Sequence, residues 1–208
     1  MRQILLSIGV HTMRIGNVLN EYGGIIRSRS YFPLWSGQLV SNFGDTLNYV
    51  ALVVLVYKLS GSGLAVALTV VLEVVPVLLL APIAGIIIDR FPRKFILIVS
   101  DLARAVLALL LAAATETWHV YIIVALLTSA SVFFNPTVQA VMPVIVERES
   151  LLAANSVAWI TGRLVQIVAS ALTGVLIAFA GTTPVFILNA LTFAFSALMI
   201  ARLVIPAH

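Results

Sequence analysis

Residues 62–90 read SGLAVALTVVLEVVPVLLLAPIAGIIIDR, and residues 91–115 continue FPRKFILIVSDLARAVLALLLAAAT. The two apolar runs, about 62–88 and 95–115, are each long enough to cross ~30 Å of hydrocarbon as a helix, which takes ~20 residues. Between them stands Asp89-Arg-Phe-Pro-Arg-Lys94, too charged to rest in hydrocarbon and interrupted by a proline that stops a helix. The stretch is therefore a hairpin of two transmembrane helices with its turn at the membrane surface.

The rest of the chain repeats this pattern. Further hydrophobic segments lie at about 32–58, 119–142, 152–180 and 184–205. They are bounded by Gly61-Ser-Gly63, a polar turn at Glu116, Glu147-Arg-Glu149 and Gly181-Thr-Thr-Pro184, all ordinary helix stops. The expected fold is an all-α membrane protein with six transmembrane helices over 32–205, a basic arm over 1–31 and a short tail over 206–208. Composition agrees: of 208 residues 62% are hydrophobic and 10% charged, and mean hydropathy is +1.14. No large catalytic domain outside the membrane fits in what remains. With no cysteine, disulfides and thiolate chemistry are excluded.

The net charge of +4 is informative through its placement. With the amino terminus inside, Arg2, Arg14, Arg27, Arg29, Arg90, Arg93, Lys94, Arg148 and Arg202 fall on the cytoplasmic side and Lys58 alone falls outside. That bias predicts a multi-pass protein of the cell membrane with both termini cytoplasmic. The basic balance is thus a topological signal, and no nucleic-acid partner is implied.

Polar residues inside the spans carry the functional reading. A charge at mid-membrane costs roughly 2.5 to 3.5 kcal/mol on insertion scales, so such groups face a protein interior or a wet cavity. Asp45 lies near the middle of the first helix and Glu73 near the middle of the second, with no cation near either in sequence. A carboxylate desolvated in this way is able to hold a proton, which makes both candidates for substrate or proton coupling. At 100° per residue, Gln38, Asn42, Asp45 and Tyr49 form one stripe of the first helix. Thr128, Ser131, Asn135 and Gln139 do so on the fourth, Asn155, Gln166, Ser170 and Thr173 on the fifth with Arg163 at the edge, and Asn189, Thr192 and Ser196 on the sixth. Helices with one polar face each enclose a polar pathway; for the Ser and Thr hydroxyls, interhelical hydrogen bonding is the plainer account. Asp101 and Arg104 are three apart on the third helix and read as a structural ion pair. The partner of Arg163 stays open: another helix, a lipid headgroup or an anionic ligand. Trp35, Trp118, Tyr31 and Tyr121 lie near helix ends and read as interfacial anchors.

The turn Gly85-Ile-Ile-Ile-Asp89-Arg90-Phe-Pro-Arg93-Lys94 resembles the Gly-x-x-x-Asp-Arg-x-x-Arg-Lys signature of the major facilitator superfamily. Leu34-Trp-Ser-Gly-Gln38 with Gly44-Asp45, Leu72-Glu73 before Pro76, Asp101-Leu-Ala-Arg104, Phe134-Asn-Pro136, Pro143 and Ala153-Ala-Asn155-Ser156 are similar to the macrolide and siderophore exporter branch. The resemblance covers about residues 32–205 and implies the amino-terminal six-helix half of a twelve-helix carrier. It further implies Gly85, Asp89, Arg90, Arg93 and Lys94 as a cytoplasmic gate, with Gly85 allowing close helix packing and Asp89 capping or pairing at a helix end. Polar residues of the helices would line a substrate cavity shared with a second half.

The expectation is a secondary transporter half that exports a small amphipathic compound on a proton or ion gradient. Its partners are the lipid bilayer, the small-molecule substrate and a second six-helix half, supplied as a separate chain, a missing continuation or a homodimer. The alternative is a truncated, non-transporting membrane protein or assembly subunit. No cofactor is expected: there is no phosphate-binding Gly-Lys-Ser/Thr loop, and His11, His119 and His208 lack metal-ligand spacing. An enzyme is not expected, since no nucleophile, base or metal set is recognisable.

Overall fold

The computed structural model describes residues 23–204, which form six long helices and no strand. They are α1 Phe32–Ser60, α2 Gly63–Arg90, α3 Arg93–Ala112, α4 Thr117–Ile145, α5 Leu151–Ala180 and α6 Thr183–Ala201. All six are long and apolar enough to span a membrane. The residues of the basic arm up to 22, with Arg2, His11 and Arg14, and the tail with His208 lie outside the described residues.

The breaks have local causes. α1 ends at Gly61, whose φ of 63° lets its N–H bond the Tyr57 carbonyl. α5 ends at Gly181 (φ 78°), whose N–H bonds the Ile177 carbonyl. Pro33 and Pro184 stand in the first turns of α1 and α6, where a missing N–H costs nothing. Two expected ends move inward. The third helix stops at Ala112, because Ala113 and Ala114 donate to Leu110 and Leu111 in a tightened turn before the polar Glu116. The sixth stops at Ala201, where Arg202 and Leu203 make the same tightened bonds to Met199 and Ile200. The fourth instead runs through Pro143 to Ile145, since a proline removes one helical bond without forcing a stop when neighbouring helices hold the segment.

Connections of two to five residues reverse the chain after each span, so neighbours in sequence run antiparallel. The packing has internal symmetry. α1 packs against α6 and α5, α4 packs against α3 and α2, and α3 meets α6 at the centre. Exchanging α1–α3 for α4–α6 maps these pairs onto one another, and because α1 and α4 run oppositely the two halves are an inverted repeat. The centre is therefore α1, α3 and α6. Over half of the apolar window of α6 is buried (56%), against 11% for α2 and for α5.

The α1–α6 seam is the closest contact. A side chain at Gly44 would collide with Thr192 and Asn189, and one at Gly37 would come within 3.2 Å of Ser196 Oγ. Glycine on one helix facing small polar residues on the other is how membrane helices approach without a hydrophobic drive. The polar stripe expected on α6 is thus consumed by packing: Asn189, Thr192 and Ser196 are all buried, and the Thr192 hydroxyl donates to the Asn189 carbonyl at 2.7 Å. Tyr31, read from sequence as an interfacial anchor, is also buried. Its hydroxyl donates to the Ala154 carbonyl at 2.8 Å and ties the start of α1 to α5.

Candidate functional site

One face of the bundle carries a polar groove between α1, α4 and α5. Two adjoining hollows of about 620 Å³ each make it up, sharing Asn42, Ala158 and Trp159. The first lies between Trp35, Gln38 and Asn42 of α1, Gln139 and Pro143 of α4, and Asn155 of α5. The second continues along α1 and α5 past Asp45 and Tyr49, facing Gly162, Arg163, Gln166 and Ser170. The whole α1 stripe, Gln38 to Tyr49, therefore opens on the groove. Pro143, lacking an N–H, leaves the Gln139 carbonyl one turn earlier without its helical donor.

Other candidates fall elsewhere. Asn135 is exposed on α4 outside both hollows, a turn away from Gln139. Ser131 and Thr173 bond back to the carbonyls of Leu127 and Ala169, satisfying their hydroxyls within their own helices. Glu73 is half-buried on α2, lines neither hollow and has no ion-pair partner among the described residues. Equal depth did not bring it to Asp45, because α2 packs chiefly on α4 and only lightly on α1.

Beneath the groove lies a charge cluster. Arg104 is 4% exposed; its Nη2 donates to Asp101 Oδ1, and its Nη1 lies 4.0 Å from Asp45 Oδ2. Its guanidinium is held between the rings of Phe134 (4.1 Å) and Phe193 (4.4 Å), a cation–π sandwich supplied by α4 and α6. Asp101 is fully buried, while the Asp45 side chain is 41% exposed. So the pair expected within α3 is one arm of a three-residue cluster that reaches the groove at Asp45. Arg163 instead stays on the groove surface: Nη1 donates to Gln166 Oε1 at 2.8 Å and the guanidinium lies 5.7 Å from the Trp159 ring.

The groove contains two tryptophans that the sequence reading does not place there, one read as an anchor and one not singled out at all. Trp35, read as an interfacial anchor, lines the groove and donates through Nε1 to Thr161 Oγ1 at 3.1 Å. Trp159 is shared by both hollows. For Trp35 the signal lies in its spacing, since it precedes Gln38 and Asn42 by three and seven residues, on the same helical face.

At the α2–α3 turn, Arg93 Nη1 donates to the Ala140 carbonyl and Lys94 Nζ to the Leu203 carbonyl, each at 2.9 Å. Both cations thus serve the C-terminal ends of α4 and α6, which favour positive charge. Gly85, expected to permit close helix packing, has nothing within 4 Å of the position a side chain would take. Asp89 and Arg90 are exposed, and Asp89 does not cap α3, whose N-cap is Pro92 without a side-chain bond. Gly85 and Asp89 lie on the outer surface of α2, which nothing among the described residues covers.

Among the described residues no group of acids and histidines is arranged to hold a metal ion. No solved structure matches the chain. The chain is 30% identical to the uncharacterized MFS-type transporter YfiS of Bacillus subtilis over 173 residues, 83% of this chain and 42% of that protein. It is 26% identical to macrolide efflux protein A of Streptococcus pyogenes over 126 residues, 58% of this chain and 31% of that one. To the B. subtilis MFS-type transporter YvqJ it is 26% identical over 160 residues, 74% and 38%. The chain thus spans less than half the length of these relatives. Residues 25–207 match the family described as transmembrane secretion effector, and six spans packed as an inverted repeat around a polar groove, together with that match, place the chain in the major facilitator superfamily of membrane transporters.

Proposed function

We propose that the chain is half of a secondary carrier that exports a small amphipathic compound, with the α1/α4/α5 groove as its share of the substrate path. The observation that carries this is the polar, aromatic-edged groove between α1, α4 and α5. Amides at Gln38, Asn42, Gln139 and Asn155 offer donors and acceptors, and Trp35 and Trp159 offer flat apolar surface. A compound that is part polar and part aromatic suits both, and the similarity to macrolide efflux protein A supports that class. The positive-inside bias puts the end carrying Arg93, Lys94 and Arg148 in the cytoplasm. There, Asp89 and Arg90 stand free to engage a second six-helix half, whose face would close the groove into a cavity. With no ATP-binding loop, the energy comes from a proton or ion gradient, and Asp45 is the coupling carboxylate.

Efflux of a fluorescent amphipathic dye from cells carrying the gene tests this. Asn42→Leu with Asn155→Leu, and separately Asp45→Asn, should abolish the difference in dye retention between carrying and empty cells while membrane abundance stays normal. Unchanged efflux in all of these variants, or no efflux in the wild type, would sink the reading and leave the polar groove as packing alone.

A further inference from the structure

Arg163 is a guanidinium in the middle of a membrane span with no acid beside it. It belongs to α5, which runs from Leu151 to Ala180. At 1.5 Å per residue it stands about 18 Å from one end of that helix and about 26 Å from the other. A charge at this depth is costly, and lipid phosphates lie at the membrane surfaces, away from it.

The charges around the groove balance in number but not in place. Asp45 and Asp101 are two carboxylates, and Arg104 and Arg163 are two guanidiniums. Both acids lie beside Arg104: Asp101 accepts its hydrogen bond, and Asp45 stands 4.0 Å from its Nη1. Asp45 and Arg163 line the same hollow, yet no ion pair joins them. Every other residue lining that hollow is neutral, and the adjoining hollow has no charged side chain at all. Arg163 is thus the cation left facing the groove.

Its surroundings fit an anion attached to a ring. Nη1 donates to Gln166 Oε1 at 2.8 Å, so a neutral acceptor holds the guanidinium in place without cancelling its charge. Its other N–H groups have no protein acceptor among the described residues, and a guanidinium fork matches the two oxygens of a carboxylate. The Trp159 ring lies 5.7 Å away, one turn earlier on α5, and supplies a flat apolar surface next to the charge. Gly162 keeps this stretch of α5 close to α1: a side chain there would come within 3.8 Å of Asn42 Nδ2.

We propose that Arg163 sets the specificity of the groove for an organic acid: the compound carries a carboxylate, which the Arg163 fork binds, joined to a ring that lies on Trp159. Asp45 on α1 repels a second acid, so the compound enters with its acidic end on α5. This narrows the amphipathic compound of the preceding section to one with a single acidic end, and as a statement about cargo it rests on that reading.

Dye binding to the full chain in phosphatidylcholine nanodiscs, read by fluorescence polarisation against empty nanodiscs, tests the assignment. The probes are rhodamine B, which carries a free benzoate, and its ethyl ester, which keeps the rings and loses the negative charge. The wild type should bind the acid about tenfold tighter than the ester, the scale of one hydrogen bond to a charged group. Arg163→Gln should bind the two alike, with its affinity for the ester at the wild-type value. Arg163→Lys keeps the charge without the fork and should retain part of the preference. A wild type without the preference, a preference that survives Arg163→Gln, or loss of both dyes together in that variant would overturn the proposal, the last because it marks Arg163 as structural. Lipid is the competing source of an anion. With phosphatidylglycerol added to the nanodiscs the preference should persist; its disappearance would assign Arg163 to a headgroup and overturn the claim. Export of the same two dyes from cells separates this claim from the transport reading. Preference in nanodiscs with export of neither dye refutes transport and leaves the acid site standing. Equal export of acid and ester, unchanged by Arg163→Gln, refutes the acid site alone.

Discussion

Asp45 and Glu73 are both single carboxylates near the middles of consecutive apolar helices, yet the fold treats them differently. α1 sits at the centre, with α6 against one side through Gly44 and Gly37 and a polar groove on the other. Its carboxylate is built into a cluster with Arg104 and Asp101. α2 is peripheral, with Leu64, Leu78, Leu79 and Ile86 all exposed, and its carboxylate meets no charged partner among the described residues. What separates them is not depth or hydropathy but how many helices each element touches. A helix packed on several sides has faces to assign to water, to charge and to contact.

That contrast predicts a graded set of effects. The largest should come from Arg104→Ala, which leaves Asp101 buried without its cation; removing one partner of a buried pair costs about 3–5 kcal/mol. Thermal unfolding of the purified chain should show most of its stability lost, whereas Glu73→Gln should leave the midpoint nearly unmoved. Equal shifts for the two would erase the distinction between centre and periphery. Next comes the seam. Gly44→Ala drives a methyl group into Thr192 and Asn189, and overpacking of this kind costs about 1–3 kcal/mol. Gly85→Ala meets nothing among the described residues and should be neutral for folding. The same melting measurement checks both. The smallest of the destabilising effects should be Trp35→Phe, which keeps the aromatic surface but loses the bond to Thr161, worth roughly 0.6–2 kcal/mol in a membrane bundle. Dye export should respond to Trp35→Phe more than stability does.

Much of the architecture was legible because spanning a membrane imposes a length and an apolarity that few other structures need. The six spans, their breaks and the groove-facing stripe of α1 all follow from local pattern. Asp101 with Arg104 was legible as well, being one helical turn apart. What sequence could not supply was the relation between helices that are distant in the chain. Arg104 reaches Asp45 only because α1 and α3 both pack on α6, and no spacing encodes that. For the same reason the stripes of α1 and α6 looked alike, though one faces the groove and the other is spent on the seam. Tyr31 and Trp35 were misread because an aromatic near a helix end suits an interface as well as a packed neighbour, and only the partners Ala154 and Thr161 decide. Gly85 and Asp89 show the converse, a motif whose family role implies contacts not found among the described residues.

The central claim is that the α1/α4/α5 face is wet and the outer face of α2 is not, and the absence of native cysteine allows a direct test. Single cysteines would be placed at Asn42, Gln139 and Asn155, and at Leu78 and Ile86, in membranes from expressing cells. They would then be reacted with a small charged maleimide that needs water to reach the thiol. The account predicts labelling at the first three positions and none at the last two. Labelling of Leu78 and Ile86 with protection of Asn42, Gln139 and Asn155 would contradict it.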